Sequence, residues 1–243
     1  MADIVIDSAN VPRKMIMIDS TGVSPTPPTP PTVDWIDMGT SVLWRRYNVG
    51  VDAEPTTLEE WQGNIYAWGE LNPKSSYSSD NYRFYAGNGK FTKYTTSSDY
   101  AESGTPDYKT ILDPQDDIAT VLYGSDCRIP KESDWIALYD ACYTPTIVNN
   151  YQGISGLSVV VFKSKTTNNE LVISCRTTPV KGAYQIAYLA TKNLQRETAK
   201  VLAENDHFNS LCLDFENGML SDMDFDTFYM RYVGFQYQAV KVK

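Results

Sequence analysis

Trp35-Ile36-Asp37-Met38-Gly39-Thr40-Ser41-Val42-Leu43-Trp44 is the stretch that says most about the fold of this chain, and Tyr47-Asn48-Val49-Gly50 follows it closely. Ser41–Trp44 has the short apolar pattern that predicts a strand. Trp35 and Trp44 each carry a large ring whose indole N–H needs a hydrogen-bond partner once the ring is buried. We therefore expect this stretch to begin a packed domain, with its tryptophans in the core.

Further blocks follow in order along the chain. They are Tyr66-Ala67-Trp68-Gly69-Glu70, Pro73-Lys74-Ser75-Ser76-Tyr77, Lys93-Tyr94, Leu112-Asp113-Pro114-Gln115-Asp116-Asp117-Ile118-Ala119, Arg128-Ile129-Pro130 with Asp134-Trp135, and Arg231-Tyr232-Val233-Gly234-Phe235. In this order, and over nearly the whole of residues 33–243, the blocks resemble the Fibrobacter succinogenes major paralogous domain, which is common in Bacteroidota and their phages.

The resemblance implies a fold and a kind of function. The fold is α+β and C-type-lectin-like, with two helices, a small twisted antiparallel sheet and long loops, and the two ends of the domain meet in the sheet. Members of the family are adhesion, fimbria-like and surface proteins, and related folds serve phages as receptor-binding proteins. The resemblance therefore implies binding without catalysis.

The sequence departs from the family pattern at three places. Cys127 stands where the family usually has Trp, and Lys131 stands where it has Thr, so the expected helix cap is missing. Tyr188-Leu189-Ala190-Thr191 replaces a Tyr-Trp-Ser-Ser segment. The second half of the chain is therefore matched less securely than the first.

The pattern of prolines divides the chain. Residues 24–32 read SPTPPTPPT, and such a run predicts a short, semi-rigid polyproline spacer because proline lacks an amide donor and has a fixed φ. Residues 1–23 precede it as an extended N-terminal arm, and residues 33–243 follow as the binding domain. The arm is too short to form a core alone.

The arm has two apolar stretches of period two, in which the predicted attachment residues are Ile4, Ile6, Ile16 and Ile18. Strands of this kind become stable when they add to an existing sheet edge or to one another around a multimer axis. The arm is therefore predicted to anchor the chain to another protein. The alternative is a disordered tail, in which so many apolar residues would have no evident purpose.

Within the domain, two helices are predicted. Asp134–Cys142 places Trp135, Leu138, Tyr139 and Cys142 on one stripe, and Leu58–Gln62 follows a threonine cap. Strands are predicted at Ser41–Trp44, Asn64–Trp68, Leu157–Lys163, Glu170–Ser174, Leu211–Phe215 and Val233–Val242, with a hairpin turn at Thr166–Asn169. Periodicity leaves Leu194–Glu204 undecided between helix and strand, and Asn72–Asp107 is predicted to be a long loop.

Composition excludes several classes of protein. The 243 residues are 42% hydrophobic, which is enough to bury a sizeable core. The net charge is −9 and the basic residues are scattered, so the phosphate backbone of a nucleic acid would be repelled. No segment is apolar enough to insert into a membrane, and the first twenty residues lack the order of a secretory signal.

The four cysteines, Cys127, Cys142, Cys175 and Cys212, match neither the spacing of a zinc site nor a redox pair. We expect buried free thiols, as in a protein completed in a reducing cytoplasm, although the even number leaves disulfides open.

Two groups of carboxylates are candidate sites. Asp113, Asp116 and Asp117, together with Glu70, have the hard oxygens that bind Ca²⁺, as in C-type lectins, or else they cap a segment. The spacing of a calcium loop is absent, so we predict no metal and no cofactor. The second group, a mixture of carboxylates and aromatic residues, is typical of adaptable recognition surfaces or of a half-buried strand with a solvated face. Its predicted ligand-binding residues are Asp214, Glu216, Asp222, Asp224, Phe225 and Tyr229, with Tyr184 and Tyr188 as neighbours.

Catalytic constellations are not evident. His207 is the only histidine, and it stands beside Asp206 in a polar stretch that is typical of a surface loop. Gly87-Asn88-Gly89 is too short to be more than a turn. We therefore predict no catalytic residue, while a glycosidase-like carboxylate pair stays open because only separation in space decides it.

These observations together predict a structural protein of a phage virion that infects Bacteroidota, for instance a crAss-like phage. It is a head fibre, a capsid decoration or a tail-associated fibre. Its arm binds a capsid or tail protein, the chain forms a homo-oligomer, and the domain binds a glycan or protein of the host surface. The alternatives are a bacterial cell-surface or fimbrial adhesin of Bacteroidota and, more remotely, a glycan-cleaving enzyme on the same scaffold.

Overall fold

The computed structural model describes residues 35–174, 176–179, 184–194 and 207–243. The predicted arm and spacer, and the undecided segment after Leu194, lie outside the described residues. The described chain is mixed α+β, with mostly antiparallel strands, as predicted.

The strands and helices of the described residues follow one another along the chain in this order. The elements are β1 (Trp35–Asp37), β2 (Val42–Arg45), α1 (Leu58–Gln62), β3 (Tyr85–Gly87), β4 (Lys90–Phe91), α2 (Ile118–Tyr123), β5 (Cys127–Arg128), α3 (Glu132–Ala141), β6 (Thr146–Asn149), β7 (Ser158–Lys163), β8 (Glu170–Ser174), β9 (Arg176–Pro179), β10 (Tyr184–Ala190), β11 (His207–Glu216), β12 (Met219–Met230) and β13 (Val240–Val242). Short 3₁₀ turns lie at Ser79–Asn81, Pro114–Asp116 and Tyr151–Gly153.

A four-stranded sheet joins the two ends of the domain. Its strand order is β1-β2-β13-β5, and Val240 of β13 pairs with Trp44 of β2. The quoted opening stretch therefore packs directly against the last residues of the chain. The meeting of the two ends agrees with what the resemblance implies.

A larger, seven-stranded sheet has the order β8-β7-β6-β12-β11-β10-β9. Strands β8 and β9 are at its two edges, although only residue 175 separates Ser174 from Arg176 in the sequence. Neighbouring strands lie about 4.8 Å apart, so a single residue cannot cross a flat sheet of this width. The sheet is therefore curled, which brings its edges together.

Three helices lie in the described residues, where two were predicted. Helix α1 is confirmed with its cap: Thr57 Oγ1 accepts from Glu60 N, and Glu60 Oε2 accepts from Thr57 N, each at 3.2 Å. The prediction missed α2, because its six residues IATVLY are too few for an apolar period and include β-branched side chains of low helix propensity.

Helix α3 is confirmed, with Trp135 and Leu138 buried on its inner stripe. The cap that Lys131 cannot supply comes from elsewhere. Asp134 Oδ2 accepts from Lys131 N at 2.7 Å, and Asn193 Oδ1 accepts from Glu132 N at 3.1 Å. A residue distant in sequence thus replaces the missing threonine.

Some strand predictions need correction. Asn64–Trp68 contributes only one isolated bridge, from Tyr66 to Phe235, and most of Val233–Val242 is irregular until β13. The hairpin of β7 and β8 with its turn at Thr166–Asn169 is confirmed. The predicted loop Asn72–Asp107 contains the small hairpin of β3 and β4, turned by Gly87-Asn88-Gly89.

All five tryptophans were expected in the core, and four of them are buried there. Trp44, Trp61, Trp68 and Trp135 are at most 5% exposed, while Trp35 is half-buried with its ring edge against Tyr123. The rings of Trp44 and Trp135 have centroids 4.7 Å apart, in a core that joins both sheets to α3. A second core lies under the loops of residues 66–95 and 112–119.

Candidate functional site

The predicted ligand-binding residues of the second carboxylate group lie on a long β-hairpin, so the alternative of a half-buried strand with a solvated face is the one observed. Strands β11 and β12 pair from His207 to Met230, with Glu216 opposite Met219. Asn217 and Gly218 form the two-residue turn, with φ values of 51° and 81°. A tight two-residue hairpin turn requires a positive φ at both positions, and the pair Asn-Gly meets this requirement best. This signal was present in the sequence.

Backbone register brings several of the predicted ligand-binding residues together on one face of the hairpin. Asp214 lies opposite Asp222, and Cys212 lies opposite Asp224. Glu216 and Asp222 are exposed and Asp214 is half-buried, whereas Leu213 and Phe215 on the other face are buried.

Strand β10 extends this face, since Tyr184 pairs with Glu216 and Tyr188 with Cys212. The side chains of Asp224, Phe225 and Tyr229 are outside the described residues, so their part in a site stays a prediction. We call Asp214, Glu216 and Asp222 the acidic hairpin face.

The other carboxylate group is part of the scaffold. Asp117 caps α2: its Oδ1 accepts from the backbone N–H of Ala119 at 3.1 Å and of Thr120 at 3.3 Å. The same carboxylate accepts from Ile129 N, and Lys192 Nζ lies 2.7 Å from Oδ2. These contacts occupy the lone pairs of Asp117, so the capping alternative of the sequence analysis is the one observed.

The neighbouring carboxylates are paired as well. Asp116 accepts from the hydroxyl of Tyr94 at 2.7 Å and forms ion pairs with Lys93 and Arg83. Asp113 forms ion pairs with Lys93 and Lys109, each at 2.6 Å. Burial raises the pKa of Asp113, but hydrogen bonds from both lysines outweigh it and hold the pKa below its ordinary value.

Glu70 is also engaged, with Lys74 Nζ 2.7 Å from its Oε1. A divalent cation would have to displace these ammonium groups before it could bind the cluster. In the described part of the chain, no three His, Cys, Asp or Glu side chains are arranged to hold a metal ion.

A cleft of about 310 Å³ lies between α1, the segment before β7 and the segment before β13. Its lining residues are Leu58, Gln62, Ile65, Gly156, Leu157, Ser158, Ser174, Gly234, Phe235 and Gln236. Hydroxyl groups, carboxamides and apolar side chains line it, and none of these residues has an ionisable side chain. Such a surface suits a neutral ligand with both hydrogen-bonding and apolar parts.

Gln236 lines both this cleft and the small hollow beside Trp135. Its Oε1 is buried and accepts no hydrogen bond from any donor in the described residues. Ser158 Oγ lies in the same wall and donates to Asn149 Oδ1 at 2.6 Å, which leaves its own lone pairs available as acceptors. A buried acceptor without a donor costs about 1–3 kcal/mol, and this oxygen is not open to a ligand in the cleft because it is buried.

The sequence analysis did not identify this cleft. Its lining comes from segments that are far apart in the chain, and it contains none of the residue types that signal chemistry in a sequence. Gln62 and Gln236 are ordinary polar residues until the fold places them around the same cleft as Ser158. No signal in the sequence could have found them.

The remaining candidates have the following places. Ile4, Ile6, Ile16 and Ile18 of the arm lie outside the described residues. His207 begins β11 opposite Met230, so it is on a strand and not on the predicted loop.

Cys127 and Cys142 are buried free thiols, as predicted, and burial raises the pKa of each to about 11. Cys212 Sγ donates to Asp214 Oδ1 at 3.4 Å.

Comparison of the chain with protein-family models, with curated proteins and with solved structures gives no match. The lectin-like fold and the family assignment therefore stay proposals. None of the helices in the described segments has the length and apolar content that crossing a bilayer requires.

Proposed function

We propose that the chain is a structural protein of a phage virion whose domain, residues 33–243, binds a glycan or a protein on the surface of a Bacteroidota host. The protein is a head fibre, a capsid decoration or a tail-associated fibre, and its domain is C-type-lectin-like. The arm attaches it to a capsid or tail protein and supports a homo-oligomer. The alternative is a bacterial surface or fimbrial adhesin with the same binding domain.

The observation that carries the binding role is the cleft beside α1. General acid–base and nucleophilic chemistry needs a titratable or activated group at the reacting atoms. The lining of this cleft offers carboxamides such as Gln62 and Gln236, hydroxyls such as Ser158, and apolar side chains. These groups can hold a ligand by hydrogen bonds and contact area, which favours recognition over turnover.

The sequence supports the attachment role. Ile4 and Ile6, and again Ile16 and Ile18, alternate with other residues, so each stretch of the arm has one apolar face in an extended conformation. The proline run of residues 24–32 follows at once and favours an extended, stiff segment. An anchor, a spacer and a binding domain in this order are what a fibre or decoration protein needs.

Binding to cells tests the proposal. The full chain, fluorescently labelled, is added to a panel of Bacteroidota strains before and after periodate oxidation of their glycans or protease treatment. We expect saturable binding to some strains, lost after periodate if the ligand is a glycan and lost after protease if it is a protein. Absence of binding to every strain, or release of sugar fragments from the cells by the chain, would refute a non-catalytic binding protein.

The acidic hairpin face is a second candidate surface for the same role. Its exposed carboxylates stand beside positions Tyr184 and Tyr188 of β10 in the register of the sheet. Alanine substitution of Phe225 or Tyr229 at a true hot spot should weaken cell binding about thirty-fold, which corresponds to about 2 kcal/mol. Unchanged binding in alanine variants across Leu213–Tyr229 would exclude this surface.

A further inference from the structure

The small hollow beside Trp135 lies next to the cleft, with which it shares Ser174 and Gln236. Its lining comes from the segment after β2, from α3, β8 and β10, and from the segment before β13. The lining residues are Asn48, Trp135, Ile173, Ser174, Tyr188, Leu189, Ala190, Gln236 and Gln238. The volume open to the centre of a water molecule is about 10 Å³, which is enough for one water and too small for a second.

Asn48 contributes a buried acceptor to this hollow. Its Nδ2 donates to the backbone oxygen of Ser174 at 2.8 Å, and because a carbonyl oxygen can only accept, this bond fixes the orientation of the carboxamide. The Oδ1 atom is therefore turned away from that carbonyl, and no donor among the described residues reaches it. Asn48 is 3% exposed and lines the hollow but not the cleft. Since its Oδ1 is not closed off, unlike Oε1 of Gln236, the open surface of this acceptor lies on the hollow.

Ser174 contributes the second polar group. Its side-chain hydroxyl can both donate and accept, and it has no hydrogen-bond partner among the described residues although Ser174 is only 5% exposed. The carboxamide of Gln238 is different, since its Nε2 donates to Arg45 O and its Oε1 accepts from Ala239 N, each at 3.0 Å. Asn48 Oδ1 and Ser174 Oγ therefore still need partners, and a buried polar group without one is costly.

Size and charge decide what the hollow can hold. A water molecule can donate to the oxygen of Asn48 and can donate to or accept from the hydroxyl of Ser174, so it satisfies both groups. Cavities that stay dry are lined by apolar side chains, whereas a polar cavity with room for one water holds an ordered one. A cation is not matched, because none of the lining residues carries a carboxylate.

We propose that the hollow holds one ordered water molecule, which bridges Asn48 Oδ1 to Ser174 Oγ. The bridge runs parallel to the direct bond from Asn48 Nδ2 to Ser174 O, so the segment after β2 and the end of β8 are joined twice. Because Ser174 also lines the cleft, the water holds one part of the cleft wall in place. The water belongs to the fold whether or not the cleft binds a ligand.

A crystal structure of the full chain, at a resolution that shows ordered waters, tests this site. We expect one water at about 2.7–3.2 Å from both Asn48 Oδ1 and Ser174 Oγ. A hollow without a water, or a side chain of the protein in its place, would overturn the proposal.

Magnetic relaxation dispersion of water in solution is an independent test, since it counts the waters that a protein holds for longer than its tumbling time. Ser174→Val removes the hydroxyl and fills the hollow with a methyl group, so we expect one long-lived water fewer than in the wild type. Ser158→Val is the matched control, because Ser158 lines the cleft but not the hollow, and it should leave the number unchanged.

Thermal melts establish that each variant is folded. Equal numbers of long-lived waters in the wild type and in folded Ser174→Val would contradict the bridge. If Ser174→Val does not fold, the crystal structure of the wild type decides alone.

Discussion

The ammonium of Lys192 lies 2.7 Å from Oδ2 of Asp117, although 75 residues separate the two in the chain. Their side chains are 6% and 0% exposed. The same carboxylate caps α2 and accepts from Ile129, which directly follows β5. One buried ion pair therefore ties the segment after β10 to two places in the first half of the domain.

Replacing Lys192 by Met should destabilise the protein strongly, because it leaves the carboxylate of Asp117 buried without its countercharge. Removal of one partner from a buried pair costs about 3–5 kcal/mol. Lys241→Met is the control, since its pair with Asp126 is exposed at 37% and 52% and is worth about 0–1 kcal/mol. Urea unfolding of the two variants measures the difference. Equal losses of unfolding free energy in both variants would show that the buried pair stabilises the fold no more than the exposed one does.

High pH should destabilise the fold through its buried thiols. Burial raises the pKa of Cys127 and of Cys142 from 9.0 to about 11. Between these values the unfolded thiols have lost their protons while the folded ones keep theirs, so stability falls as pH rises. The slope is at most about 1.4 kcal/mol per pH unit for each thiol.

The double variant Cys127→Ala, Cys142→Ala should flatten this fall between pH 9 and 11 in chemical denaturation at fixed temperature. Part of the fall should remain, since burial also raises the pKa of Tyr82. A pH dependence identical to that of the wild type would mean that these thiols titrate normally in the folded protein.

At the turn of the long hairpin, we expect Gly218→Ala and Asn217→Gly to differ in their effect on stability. Gly218 has a φ of 81°, in the left-handed region that costs an L-residue about 1–2 kcal/mol. A Cβ there would meet Ile147 O at 3.6 Å, which is ordinary contact, so Gly218→Ala tests the backbone alone. We expect a loss of about 1 kcal/mol in urea unfolding, whereas Asn217→Gly at the adjacent position should be nearly neutral. A neutral Gly218→Ala would argue against this turn.

The acidic hairpin face should make the folded protein less stable. Asp214 and Asp222 are direct cross-strand partners, and like charges in that relation destabilise a sheet. Asp222→Asn keeps the acceptor for Met223 N, which lies 2.8 Å from Oδ1, and should stabilise the protein by about 0.2–1 kcal/mol at low salt. The gain should shrink in high salt. Asp80→Asn, which changes net charge equally on an exposed turn, should give no such gain.

Local signals in the sequence predicted the local structure. A threonine cap predicted α1, the stripe of Trp135 and Leu138 predicted α3, and Thr166–Asn169 predicted the turn of β7 and β8. Each of these features depends on residues close in sequence. Helix α2 was not predicted because it is only six residues long. The strand Leu211–Phe215 was predicted and is part of β11, whereas the turn at Asn217-Gly218 and the strand β12 were not predicted.

Features that depend on residues far apart in the chain could not be predicted from the sequence. Asp117 could be a cap or a calcium ligand until Lys192 was seen beside it. The cap of α3 by Asn193 and the cleft around Gln236 depend on segments that meet only in the folded domain. Residue types decide what a side chain can do, while its neighbours across the fold decide what it does.

Composition of purified phage particles tests the central claim most directly. Quantitative mass spectrometry of density-purified virions, beside the envelope fraction of uninfected host cells, shows where the full chain resides. We predict that it is found in the particles in amounts typical of a structural protein, and that replacing Ile4, Ile6, Ile16 and Ile18 by Ser removes it from them while the protein stays folded. Its presence in the cell envelope and absence from particles, or undiminished incorporation of the arm variant, would contradict the account.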